Sequence, residues 1–295
     1  MKRLVVLAAL ALTGCRFFGT GSDGAVSAVS PDGKNEIRLW TCPLAYEVLR
    51  NGEVVVAKSE IGMKVDGACL APRAPCSVQR EVKSGTVETP VYKKDRIDLA
   101  GNETFVDFGD WGVRLAARND GVAYRFQTKR PGRIRVDCEK ATVNVPDATA
   151  RSCVYRTSRF GCEENVPTVG PIGGISHEGK GNGMVYLPLT YSLSDDTTVA
   201  ITDADVRDYP VWYLKRREGA EGVGLESVFA GWPKKTHRAG GWDSKKAISS
   251  GGRWVAVDEH EDFLVETEGT RAFPWRAFIL GDAPKDLFAA GFTGA

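Results

Sequence analysis

Carboxylates are the side chains in this sequence best suited to chemistry, and one short segment places two of them together. In Ile201-Thr202-Asp203-Ala204-Asp205-Val206, Asp203 and Asp205 stand two residues apart, so on a strand they project from the same side. Two carboxylates on one face can bind a hard cation, or work as an acid and a base once their surroundings push their pKa values apart. A solvated strand end is the alternative, and Glu163-Glu164 reads as a loop surface. Seven tryptophans form the second group. An exposed indole face stacks on a sugar ring by excluding water from an apolar surface. Most of the seven are expected in the core. Trp232 and Trp242 lie among Gly, Lys and Arg, and are expected to be exposed, to meet either a sugar or a second domain. Other chemistries find little support. The chain has three histidines, no C-x-x-C, no G-x-S-x-G elbow, no H-E-x-x-H and no P-loop, which argues against a zinc site and a triad hydrolase.

Cysteines and the amino terminus bear on location. Lys2 and Arg3 precede an apolar run, Leu4 to Leu12, that is too short to cross a bilayer as a helix of about 20 residues. It ends in Leu12-Thr13-Gly14-Cys15, which resembles a lipobox. Residues 1–15 are therefore expected to be a lipoprotein signal with Cys15 as the lipidated residue, an ordinary secretory signal being the alternative. A lipid-anchored protein of the bacterial cell envelope follows, held to the membrane by its acyl chains. Six cysteines remain. Cys69 with Cys76, and Cys153 with Cys162, each bracket a short loop that a disulfide would close in an exported chain; buried free thiols are the alternative.

The elements that must position these groups are strands. After a Gly- and Ser-rich linker at residues 16–24, whose Gly19-x-Gly21-x-x-Gly24 lacks the flanking strand and helix of a dinucleotide site, the hydrophobic period is two. Asn51-Gly52 and Asp120-Gly121 mark hairpins. Ile134, Val136 and Cys138 are expected on one face, opposite Arg133, Arg135 and Asp137. Further strands are expected at Met184–Leu189, Thr198–Ile201, Trp254–Val257, Phe263–Thr267 and Trp275–Leu280, and residues 161–183 read as a long surface loop. Only Pro284 to Ala290 looks helical. With 33 glycines and 14 prolines for turns, the pattern is that of a large all-β antiparallel sandwich over residues 25–283. The 295 residues carry 39 basic and 38 acidic side chains, a net charge of +1, which gives no electrostatic reason for a nucleic-acid partner.

Several segments taken in order resemble one family. Ser30-Pro31-Asp32-Gly33-Lys34, Asn119 to Phe126, Leu187-Pro188-Leu189, Val199 to Val206 with Asp208-Tyr209-Pro210, and Phe273-Pro274-Trp275-Arg276 with Ile279 to Asp282 are similar to the N-terminal domain of glycoside hydrolase family 97. The resemblance implies a β-super-sandwich (galactose-mutarotase-like), followed in whole members by a (β/α)8 barrel that carries the catalytic residues. It implies α-glucosidase or α-galactosidase activity on α-linked oligosaccharides, and dependence on a calcium ion shared between the domains. Asp203 stands where the family pattern has a calcium-ligating Glu, one methylene longer. Residues 284–295 are then expected to lead toward a barrel that this chain lacks, leaving no catalytic residue here and no activity in the chain alone. A stand-alone carbohydrate-binding lipoprotein, and a self-contained hydrolase using Asp203 and Asp205, are the competing expectations.

Overall fold

The computed structural model describes residues 24–71, 73–89, 94–157, 166–175, 183–217, 222–239 and 254–290. Four strands open it as a meander: β1 (Val26–Val29), β2 (Asn35–Thr41), β3 (Leu44–Arg50) and β4 (Glu53–Val65). Then come β5 (Ala68–Cys69), β6 (Ser77–Lys83), β7 (Thr86–Glu88), β8 (Arg96–Asp98), β9 (Gly101–Asp107), β10 (Trp111–Arg118) and the long β11 (Gly121–Ala141). The remainder comprises β12 (Val143–Val145), β13 (Arg151–Thr157), β14 (Thr168–Pro171), β15 (Met184–Ser194), β16 (Thr197–Ala204), β17 (Tyr213–Arg216) and β18 (Val223–Val228). After these follow β19 (Pro233–Ala239), β20 (Trp254–His260), β21 (Val265–Ala272), β22 (Trp275–Gly281) and a short helix, α1 (Pro284–Ala289).

The architecture is an antiparallel β-sandwich. One layer runs β13, β15, β16, β22, β11, β10, β9, β6. The opposing layer contains the β1–β4 meander, joined through β12 to β18 and β17. Strands β4, β11 and β15 belong to both: a strand this long bends around the core, so a single hydrogen-bonded sheet closes over itself. The layers meet on aromatic rings that are wholly buried. Tyr46 lies 4.8 Å from Tyr124 and 5.4 Å from Phe278, centroid to centroid. Their polar ends are satisfied across the sandwich where partners exist: the Tyr46 hydroxyl donates to the Thr142 carbonyl at 2.9 Å, and the Tyr191 hydroxyl to the Val55 carbonyl at 2.7 Å. A buried donor left without such a partner costs about 1–3 kcal/mol.

Turn chemistry explains the hairpins, with one correction. Asn51 and Gly52 both have positive φ (51° and 83°), as a two-residue type I′ turn requires. At the second hairpin the loop is Asn119-Asp120, because Arg118 already pairs with Gly121. Gly121 is thus in the strand, and a Cβ there would sit 2.5 Å from the Phe278 carbonyl oxygen; the glycine permits strand β22 to approach.

Other expectations need correction too. The register of β11 against β4 shifts between Val136 and Cys138, a bulge with Asp137 as the extra residue. A bulge reverses the alternation beyond it, so Cys138 faces solvent, and Glu139 and Ala141 turn inward. The segment read as a loop over 161–183 contains strand β14 and a 3₁₀ turn, Ile172–Gly174, that bury Ile172 and Ile175. Strand β21 begins at Val265, two residues beyond the expected start. Cys42, Cys69, Cys76, Cys138 and Cys153 are free thiols, the first four exposed, so neither the Cys69–Cys76 bridge that the spacing allowed nor the alternative of buried thiols holds for them. Cys15, Cys162, Glu163-Glu164 and Trp242 lie outside the described residues.

Candidate functional site

Strand β16 brings Asp203 opposite Arg276 of β22 in cross-strand register. The carboxylate is mostly buried: its Oδ2 accepts the Trp212 backbone N–H at 3.2 Å and lies 3.7 Å from Arg276 Nη1. Burial pushes the Asp203 carboxyl above the usual carboxylate range, against the opposing pull of Arg276 and the Trp212 N–H. The larger charge partner of Arg276 is Glu139. Its two oxygens accept Nε at 2.8 Å and Nη2 at 2.7 Å, a bidentate pair whose side chains are 1% and 2% exposed. Tyr209 donates its hydroxyl to Glu139 at 2.8 Å. Trp212 and Phe229 place their rings 5.1 Å from the guanidinium carbon of Arg276. Glu139 holds Arg276 firmly protonated even though burial opposes the charge.

Asp205 does not join Asp203. Strand β16 ends at Ala204, and Asp205 takes a left-handed conformation (φ 56°) that carries its side chain outward. There it pairs with Arg125 Nη1 at 3.4 Å and Arg207 Nε at 3.1 Å. The two carboxylates therefore answer to different arginines, one inside the sandwich and one at its surface. The expectation of an acid/base pair on one strand face fails because the strand stops one residue too early. Glu139 was not singled out from the sequence: extending the alternation of Arg133, Arg135 and Asp137 by two residues places it outward, and only the bulge turns it in.

Trp232 is 45% exposed at the base of a two-stranded ribbon formed by β19 and β20. Its backbone N–H donates to the Phe263 carbonyl at 2.8 Å. Trp111 and Trp212 are core residues, and Trp275 is half-buried under the Arg125 guanidinium, 4.2 Å from its ring. Among the described residues no three His, Cys, Asp or Glu side chains gather where they could hold a metal. Calcium takes six to eight oxygens, and Asp203 offers one carboxylate with an oxygen already engaged. The donor set of the described residues does not make a calcium site by itself.

Among the described residues the antiparallel sandwich holds two inward carboxylates, Glu139 and Asp203, both beside Arg276, and an outward cluster of Asp205 with Arg125 and Arg207. The profile of the glycosyl-hydrolase 97 N-terminal domain matches residues 28–292, and the chain belongs to that family. It is 29% identical over 277 residues to a retaining alpha-galactosidase of Bacteroides thetaiotaomicron, covering 90% of this chain and 40% of that protein. A probable retaining alpha-galactosidase of Streptomyces bingchenggensis is 27% identical over 267 residues, covering 88% and 35%. Among solved structures, a glycoside hydrolase family 97 enzyme of Pseudoalteromonas sp. strain K8 in complex with panose superposes with a TM-score of 0.67 at 19% identity, over 88% of this chain and 36% of that one. A beta-arabinopyranosidase gives 0.66 at 18% identity, over 88% and 40%. The chain thus spans well under half the length of the relatives it matches.

Proposed function

We propose that this chain is the non-catalytic N-terminal sandwich of an exported glycosidase acting on α-linked oligosaccharides, α-galactosides first and α-glucosides second. The family match over residues 28–292 carries the reading, and the two retaining alpha-galactosidases among its relatives supply the substrate class. Glycoside hydrolysis needs two carboxyl groups flanking the scissile bond at a fixed separation. Those groups belong to the (β/α)8 barrel of the complete enzyme, and the sandwich supports that barrel. Calcium enters as a shared ion: Asp203 would supply one oxygen, held in place by the Trp212 N–H, and the barrel the rest. The ion would orient the domains and polarise the polar groups around it. Cys15 carries the lipid that fixes the protein to the bacterial envelope, and the linker at residues 16–24 spaces the sandwich from the membrane.

The test is release of p-nitrophenol from α-galactoside and α-glucoside substrates by the complete gene product and by this chain alone. Turnover is expected from the former only. Chelator-sensitive turnover by this chain alone would overturn the reading. Calcium titration calorimetry on the complete enzyme, with and without Asp203→Ala, checks the metal independently of activity: equal affinity in both removes Asp203 from the site. Palmitate labelling that survives Cys15→Ser would remove the anchor.

A second reading rests on the exposed Trp232: a carbohydrate-binding lipoprotein that works without a barrel. Titration with galactosides and starch oligosaccharides decides it, and flat heats would dismiss it.

A further inference from the structure

Strands β14, β13, β15 and β16 lie side by side in one layer, and their register stacks side chains into two rows across them. One row runs Pro171, Arg151, Ser192, Thr198; the next runs Val169, Cys153, Thr190, Ala200. Residues paired across strands share a face of the sheet. Val199 and Ile201 point into the main core, so Thr198 and Ala200, and both rows with them, face outward. Ala200 packs there with Leu287 of α1. Pro284 and Leu287 wall the rows on the β16 side, and Val169, 56% exposed, walls them on the β14 side. Between the walls lies a groove of about 320 Å³.

The groove floor is a strip of hydroxyls. Ser192 and Thr198 share a hydrogen bond at 3.0 Å, and Thr190 Oγ1 donates to the Cys153 carbonyl at 3.5 Å. A hydroxyl has one proton to donate and two lone pairs, so each keeps capacity for a ligand. Arg151 is the one charged side chain among the described residues that lines the groove. It is exposed, and its guanidinium has neither an ion pair nor a hydrogen bond among the described residues. The carboxylates of the adjoining turn and helix do not line it: Asp196 accepts the Ser194 hydroxyl at 2.6 Å, and Asp286 the Ala283 N–H at 2.9 Å. An unpaired guanidinium beside a hydroxyl strip suits an anionic oxygen group, which the planar fork takes in two parallel hydrogen bonds.

We propose that this groove binds an acidic sugar, a uronic acid or a sulfated hexose, with its anionic group on Arg151 and its ring hydroxyls along Ser192, Thr198 and Thr190. Size and lining select that class. The volume exceeds what an inorganic oxyanion needs and falls at the lower end of small-molecule pockets, about 300–1,000 Å³. A single cation does not match a chain of phosphates. No aromatic ring is offered for a base to stack on, since Tyr191 is 1% exposed and ties its hydroxyl to the Val55 carbonyl inside the sandwich. Val169, Pro284 and Leu287 supply apolar edges for the C–H face of a sugar ring. The groove is separate from Asp203, which pairs with Arg276 on the inner side of β16, five residues beyond Thr198 and roughly 17 Å away at about 3.4 Å per residue. It is built from this chain's own residues and is independent of a barrel.

The Cys153 thiol reports occupancy, because it lines the groove and is half-buried. Its alkylation by iodoacetamide is followed by peptide mass spectrometry, in this chain and in the complete gene product, against titrations of galacturonate, galactose 6-sulfate, galactose and sodium sulfate. A ligand covering the thiol slows the reaction by one plus its concentration over its dissociation constant, so at ten times that constant the rate falls about tenfold. That slowing is expected with at least one of the two acidic sugars, and which one acts tells carboxylate from sulfate. The exposed Cys42 is expected to react at an unchanged rate throughout, and galactose and sodium sulfate to give no slowing at the same concentration. Arg151→Met, at an exposed position, is expected to keep the unfolding midpoint and lose the protection; Arg151→Lys, with the charge but not the fork, is expected to keep part of it. The proposal falls if neither acidic sugar protects Cys153, if galactose or sulfate protects it equally well, or if protection survives Arg151→Met. Protection seen in the complete gene product and not in this chain puts the sugar elsewhere, and overturns it too.

Discussion

Removing Glu139 is the sharpest test of how the interior is held. In Glu139→Ala, Arg276 keeps its charge at 1% exposure but loses both charge-assisted bonds, and the Tyr209 hydroxyl loses its acceptor. Breaking one side of a buried pair costs about 3–5 kcal/mol, because an uncompensated guanidinium cannot reach water. The upper end is expected here, since the remaining carboxylate, Asp203, is 3.7 Å away and engaged with the Trp212 N–H. Replacing both members by apolar side chains of similar volume, Glu139→Leu with Arg276→Met, removes the orphan charge, and such swaps are often neutral or stabilising. The assay is urea unfolding followed by tryptophan fluorescence and circular dichroism, run as a double-mutant cycle with Glu139→Gln as the isosteric control. The expected signature is a large loss in Glu139→Ala and recovery of most of it in the double variant. A loss under about 1 kcal/mol, the range of exposed ion pairs, would refute the idea that this pair is sealed from solvent.

Asp203 gives a pH prediction of opposite sign to the usual carboxylate. Its folded pKa is raised by burial, so between the ordinary value near 3.9 and the folded value the native state binds more protons than the unfolded one, and stability falls as pH rises. Asp203→Asn is therefore expected to be more stable than wild type at pH 7 and equal to it below the ordinary carboxyl value; urea midpoints at both pH values check this, and a variant less stable at pH 7 would contradict it. Gly121→Ala places a methyl 2.5 Å from the Phe278 carbonyl and is expected to cost about 1–3 kcal/mol, as overpacking does, read from the thermal midpoint. Phe278→Ala empties a fully buried ring site beside Tyr46 and is expected to cost about 3–5 kcal/mol, by the same unfolding assay. Tyr209→Phe removes one hydrogen bond to a charged acceptor, expected at about 1.5–3 kcal/mol, with faster exchange of the 204–212 peptide as its distinguishing readout.

Period-two patterning was enough to read the fold class, most strand positions and the Asn51-Gly52 turn, because alternation and turn residues act over a few neighbours. The short helix at Pro284 and the exposure of Trp232 followed from equally local signals. The ordered motifs from Ser30 to Asp282 also pointed to the family. What the sequence could not show is where a strand loses step. The extra residue at Asp137 shifts β11 against β4, turns Glu139 inward and Cys138 outward, and so creates the pair with Arg276. The end of β16 at Ala204 likewise separates Asp203 from Asp205. Both depend on hydrogen-bond register with strands more than 70 residues away in sequence, and register is decided by which side chains the opposing layer can accommodate, an outcome that exists only once the sandwich has closed.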